Sequence, residues 1–371
     1  MRRRLALGGW LAAVLLLAAS LVPGVAPRLA GLLPDDGGFP QRTGFIRGAP
    51  MLPDKPGPLA AIVGDNNFGA GSLEAVTSTG RAFTLPASAD GTLSPDGRLL
   101  VTPGSRRIVV RDLSSGETRE VSTTRSVRSA GIWRGDGGQL LVWLSGTRHG
   151  FVAVLDVGTG RLAASTVTGR PVGFLKDGTL VAVRTTSAGI QVVTLDQALT
   201  VLATVDLSPV DGWASGGPND SGVTPDGLLL TREGPDDGRI LLRTFSVTDG
   251  SEAGRISTEI DAEEVSYGCP MGWRGNDPVL ITKSYGSQAK ALQIHPDGST
   301  TQLMAIHHRM QSYCVTFAAE ALEAGPRWAL LGTNDDVWTW YWRPLLLVLL
   351  LTAGPLTWSM LSRRRRRGSR P

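Results

Sequence analysis

From Leu59 onward, apolar and polar positions alternate in short runs such as Arg107-Ile-Val-Val-Arg-Asp, Phe151-Val-Ala-Val-Leu-Asp and Gln191-Val-Val-Thr-Leu-Asp. A period of two is that of a β-strand, whose side chains point alternately to opposite faces. Turn residues punctuate the runs at regular places. Asp-Gly pairs stand at 96–97, 136–137, 177–178 and 226–227, at intervals of 40, 41 and 49 residues. Gly supplies the positive φ of a tight hairpin at little steric cost. After each such hairpin comes a second alternating pair, so one unit holds about four short strands, which is the size of a propeller blade.

Five units cover roughly residues 92–304, the last being the degenerate copy that opens with Met271-Gly-Trp-Arg-Gly-Asn-Asp. The flanks supply the halves of a sixth. Strands over Leu59-Ala-Ala-Ile-Val and Ser72-Leu-Glu-Ala-Val-Thr stand in front, with Cys314-Val-Thr-Phe-Ala and Trp328-Ala-Leu-Leu-Gly behind. Pairing chain start with chain end removes two open sheet edges. The pattern predicts an all-β fold, a six-bladed β-propeller with seven blades as the alternative. An open two-sheet sandwich would use the same strands but leaves the period unexplained.

Outside the repeats the texture changes. Leu5 to Val22 and Pro344 to Leu361 are each 18 residues without a charge. As helices they would span about 27 Å, close to the ~30 Å hydrocarbon core of a bilayer. The expected organisation is an N-terminal signal-anchor or signal peptide over 1–22 and a Pro/Gly-rich linker over 23–58. An extracytoplasmic propeller over 59–335 follows, then a C-terminal transmembrane helix with its aromatic belt over 338–361 and a basic cytoplasmic tail over 362–371. Trp338, Trp340, Tyr341 and Trp342 form the belt. For the first segment an uncleaved anchor is favoured, because Gly24-Val25-Ala26 is followed by Pro27, a poor cleavage site.

Charge sharpens this picture. The chain has 37 Lys+Arg against 33 Asp+Glu, a formal +4 and a pI of about 9.4. Nine of the arginines sit at the ends: Arg2–Arg4, Arg363–Arg367 and Arg370. The body keeps 28 basic and 33 acidic residues and so carries −5. That balance argues against nucleic acid as a partner. Both arginine clusters lie on the outer flank of their apolar segment, which by the positive-inside rule puts both termini in the cytoplasm. The bulk of the chain is then extracytoplasmic and the protein integral to the cell membrane.

Candidate chemistry is sparse. Cys269 and Cys314, the only cysteines, enter the first strands of successive units. In an oxidising compartment they either staple the last two blades or stand as two buried thiols. His149, His295, His307 and His308 show no metal-ligand spacing, and neither a cofactor nor a metal is expected. Asp65-Asn66-Asn67 opens an oxygen-rich loop suited to a ligand. Trp213 and Asp220 lie in a longer connection between units, where propeller binding sites are carried. Trp133-Arg-Gly-Asp and Trp273-Arg-Gly-Asn recur at equivalent positions, which points to packing between blades.

Ser94-Pro95-Asp96-Gly97, Thr224-Pro225-Asp226-Gly227 and Lys176-Asp177-Gly178 resemble the Ser-Pro-Asp-Gly hairpin of WD-type and Tol-associated periplasmic propeller repeats. Asp156-Val-Gly-Thr-Gly is similar to the Asp-x-x-Thr-Gly turn of WD-type and quinoprotein propellers. The resemblance covers about 59–335; the Gly-His and Trp-Asp signatures of true WD repeats are missing. It implies a membrane-anchored bacterial propeller acting as a non-enzymatic platform for a protein or cell-envelope ligand. The alternatives are a glycan-acting or quinoprotein-like enzyme on the same scaffold, or a structural scaffold of a membrane complex.

Overall fold

The computed structural model describes residues 37–44, 50–65, 73–85, 91–146, 150–187, 189–207, 221–236, 238–264, 272–282, 289–307 and 313–327. The chain enters through β1 (Phe39–Pro40) and β2 (Arg42–Gly44), then β3 (Ala61–Asp65), β4 (Leu73–Val76) and β5 (Ala82–Leu85). Blade 2 is β6 (Thr92–Leu93), β7 (Leu99–Pro103), β8 (Arg107–Asp112) and β9 (Thr118–Ser122). Blade 3 is β10 (Val127–Trp133), β11 (Gln139–Leu144), β12 (Phe151–Asp156) and β13 (Arg161–Thr168). Blade 4 is β14 (Arg170–Phe174), β15 (Leu180–Thr186), β16 (Gly189–Leu195) and β17 (Val201–Asp206). Blade 5 is β18 (Gly222–Val223), β19 (Leu228–Asp236), β20 (Arg239–Ser246) and β21 (Glu252–Asp261). Blade 6 is β22 (Gly272–Arg274), β23 (Asp277–Thr282), β24 (Ala289–Ile294) and β25 (Thr300–His307). The described chain ends with β26 (Tyr313–Phe317), helix α1 (Ala319–Ala324) and β27 (Pro326–Arg327).

Within each blade, strands consecutive in sequence are antiparallel neighbours. Blade 1 differs. Its order is β26-β3-β4-β5, so the last long strand is the innermost one of the first blade. Six blades result, as the repeat predicts.

Both faces of every blade meet a neighbour, and this explains the apolar texture. In β15, Leu180 and Ala182 pack toward blade 3 while Val181 and Val183 pack toward blade 5. β16 divides Ile190 and Val192 from Val193 and Leu195 in the same way. Sheets buried on two faces read as near-continuous apolar runs. The described core falls into six clusters, one at each junction between blades, and the cluster of Ala61, Val63, Ile281, Ala291 and Val315 closes blade 6 onto blade 1.

Part of the segment read as a linker is built into the ring. Phe39 is fully buried in the cluster at that closing junction, β2 pairs in parallel with β25, and Met51 bridges to Thr84 of β5. After β26, α1 takes the place of a hairpin turn. Leu322 is buried, Glu320 N–H donates to Pro95 O of blade 2 at 2.9 Å, and Glu323 Oε1 accepts from Gly275 N–H of blade 6 at 2.6 Å. One short helix thus ties the closing blade to both neighbours.

Both apolar terminal segments and Trp328-Ala-Leu-Leu-Gly lie outside the described residues. Among those described, no helix is long and apolar enough to cross a membrane.

Candidate ligand-binding face

Antiparallel order puts the first and third turns of each blade on one face of the ring, here the turn face. The second turns and the connections between blades open on the opposite loop face.

Five aspartates on the turn face are committed to the turns they stand in. Asp112 accepts from the Ser114 and Ser115 N–H groups, Asp156 from both N–H and hydroxyl of Thr159, and Asp297 from both groups of Ser299. Hydrogen bonds to an ionised carboxylate favour the ionised form. They hold Asp112, Asp156, Asp177, Asp249 and Asp297 below the ordinary carboxylate range. These side chains build turns. A groove of about 240 Å3 beside α1, lined in part by Asp96 and Glu320, belongs to this face.

The loop face is assembled differently at blades 2 to 4. The connection from β9 to β10 is pinned to its neighbours through backbone groups. Thr123 N–H donates to Arg106 O at 2.9 Å, Val127 N–H to Ser105 O at 3.0 Å and Ser145 N–H to Ser126 O at 2.7 Å. Gly169 N–H, entering blade 4, donates to Gly150 O at 3.2 Å. Arg106 and Arg107 of blade 2, Arg125 of the connection, Arg128 of blade 3 and Arg170 of blade 4 are thereby gathered in one sector.

Two rings floor it. The Arg125 guanidinium lies 4.2 Å from the Phe151 ring centre, and those of Arg128 and Arg170 lie 4.9 and 5.8 Å from that of Trp143. Stacking over a ring face restrains a guanidinium while leaving its N–H edge to solvent. Gly150 makes room: at its φ of +70°, a Cβ would meet the indole Nε1 at 2.3 Å. Arg107 pairs with Glu120 at 3.2 Å. Arg106, Arg125 and Arg128 are exposed, with no carboxylate at ion-pair distance among the described residues.

The loop face changes sign around the ring. Asp206 ends β17, Asp261 ends β21, and Glu263 and Glu264 follow in a short 3-10 turn; all are exposed. Arg239 stands opposite Asp261 across β20 and β21. The basic sector of blades 2 to 4 therefore abuts an acidic one at blades 4 and 5.

His295 forms a relay elsewhere. Its Nδ1 lies 2.8 Å from Asp277 Oδ2 and its Nε2 2.8 Å from Thr301 Oγ1. The order matches a nucleophile–base–acid set, but Thr301 is a secondary alcohol on the outer strand of blade 6. Asp277 also accepts from Gln293 Nε2 at 2.7 Å, and Gln293 Oε1 from Arg274 at 3.1 Å. The arrangement ties β22, β23, β24 and β25 together.

Of the residues singled out from sequence, Asp65 is the last residue of β3, opposite Tyr313 at the loop-face end. Asn66, Asn67, Trp213 and Asp220 lie outside the described residues, although Leu207 and Ser221, which flank the last two, stand at the loop-face ends of their blades. Cys314 is in β26 opposite Gly64, and Cys269 lies outside. Trp133 and Trp273 do pack between blades. Trp133 Nε1 donates to Thr92 Oγ1 of blade 2 at 3.2 Å, and the Trp273 ring covers Gly222 of blade 5. The Arg125/Arg128/Trp143/Phe151 cluster was not singled out. Its signal was Arg125-Ser-Val-Arg128 between two strands and a Trp inside the apolar run of β11. No group of three or more His, Cys, Asp or Glu suited to a metal occurs among the described residues.

No family model matches the chain, and no curated protein matches it. Solved structures with a similar chain path include TolB from Acinetobacter baumannii, 15% identical over 71% of this chain and 67% of that one, TM-score 0.48. A putative TolB from Agrobacterium tumefaciens is 13% identical over 75% and 96%, TM-score 0.46. The dihydro-heme d1 dehydrogenase NirN is 16% identical over 70% and 58%, TM-score 0.41. At this distance the functional reading rests on the chain's own residues.

Proposed function

We propose that this chain is a membrane-tethered, extracytoplasmic propeller that binds a protein or cell-envelope ligand on its loop face, without catalysing a reaction on it. The observation that carries the reading is the basic sector. Three exposed arginines stand together without carboxylate partners among the described residues, on a body whose net charge is negative, and backbone hydrogen bonds from blades 2 and 3 hold them there. Like charges held together repel one another, and a bound anion relieves that repulsion. Asp112, Asp156, Asp177, Asp249 and Asp297 of the turn face, by contrast, are occupied as caps.

The tether is supported by the sequence: two uncharged segments of membrane-spanning length, each flanked outside by arginines. Photo-crosslinking in the producing cells tests the reading, with the reactive residue placed at Ser105 or Ser126 on the loop face and at Ser115 or Ser299 on the turn face. A discrete adduct from the loop-face positions of membrane-extracted protein is the expected result. Adducts from the turn face alone, or none from any position, would overturn it.

A further inference from the structure

We infer that the basic sector around Arg106, Arg125 and Arg128 receives an acidic peptide segment of a partner protein; this rests on the binding-platform reading above. Guanidiniums are planar donors that match carboxylates with paired hydrogen bonds. Here Arg125 and Arg128 are stacked on Phe151 and Trp143, so less side-chain freedom is lost when they engage a ligand.

The shape of the charge pattern selects among anionic ligands. An anionic bilayer is a flat sheet that would lie across the whole loop face. It would bring its headgroups against Asp206, Asp261, Glu263 and Glu264 as well as the arginines. A peptide segment covers only the blades it needs. Its own cations can also meet the acidic sector next door, which a phosphate polymer cannot do. Complementary charge of this kind sets register and speeds encounter.

The test uses the full chain in neutral-lipid nanodiscs and fluorescence anisotropy of a labelled peptide of alternating Asp and Glu. Its Asn/Gln counterpart, phosphatidylglycerol vesicles and inorganic phosphate as competitor form the other arms. Expected are saturable binding of the acidic peptide alone, weakening with salt, and a change in tryptophan emission from Trp143. Arg125→Glu with Arg128→Glu should weaken binding by about tenfold or more, whereas Arg161→Glu, exposed at a turn-face end, should leave it unchanged. Arg125→Ala with Arg128→Ala, checked by its melting curve, guards against misfolding of the reversed pair.

Peptide binding insensitive to these changes, preference for the vesicles or equal competition by phosphate would each overturn the inference. So would conversion of a dimer to a monomer by the double reversal with peptide affinity intact, because the occupant would then be a second copy. If these arms fail while the loop-face crosslink persists, the acidic peptide is wrong and the binding platform stands. If the crosslink fails as well, both fall.

Discussion

Single residues set the geometry of each blade, and their neighbours decide how much each matters. Gly97 and Gly275 both stand in the first turn of their blades, 2 and 6, at φ of +70° and +57°. A side chain at either adopts a left-handed backbone, which costs about 1–2 kcal/mol. At Gly97 the added Cβ would also lie 2.1 Å from the Leu59 carbonyl, whereas at Gly275 nothing lies within 4 Å. Gly97→Ala should therefore lower the melting temperature clearly more than Gly275→Ala does. Trp133→Phe keeps the ring between blades but loses the donor to Thr92; a loss of about 1 kcal/mol in chemical denaturation is expected. Glu252 is held near pKa 2 by hydrogen bonds from Arg255 and then Arg243. A carboxylate whose folded pKa is depressed stabilises above its unfolded value and loses that contribution as pH falls through the folded one. Glu252→Gln should thus be less stable than the parent at neutral pH, with the difference vanishing between pH 4.5 and about 2. A pH-independent difference in melting temperature would show that the pairing is not the cause.

Elements differ in how plainly the sequence announces them. Blades 2 to 5 were legible because each opens with a hairpin needing Asp-Gly, and because strands such as β12 and β16 are apolar on both sides. β26 was legible for the same reason, and pairing it with β3 follows from the demand that a ring leave no open edge. β1 and β2 were not, since two and three residues cannot show a period and Pro40 argues against a strand. Nor was α1: six residues, Ala-Glu-Ala-Leu-Glu-Ala, fall short of two turns, and such a helix owes its stability to what it touches. Leu322 is that contact, in the cluster that joins blades 6 and 1. Leu322→Ala should cost about 2–5 kcal/mol, read by denaturant unfolding, and a cost below 1 kcal/mol would mean that α1 merely rests on the ring. The basic sector escaped notice because its arginines come from three blades and converge only once the ring is built.

For the whole molecule, closure is the governing fact. The N-terminal strands β1 and β2 and the C-terminal β26, α1 and β27 meet at one seam, so each end of the domain secures the other. A chain ending at residue 312 would leave β3 as a bare edge strand and open the cluster of Val63, Ile281 and Val315. Such a chain should associate, eluting as oligomers in size-exclusion chromatography where the intact ring does not. Cys314 faces Gly64 although nearly the entire domain separates them in sequence. Contacts that distant are the last to be gained and make folding slow. The ring therefore cannot be finished piecemeal as synthesis proceeds. Until the residues of β26 have emerged, blade 1 lacks its inner strand. Up to that moment the domain is an open array of blades, and the arrival of one five-residue strand is the timer for its assembly.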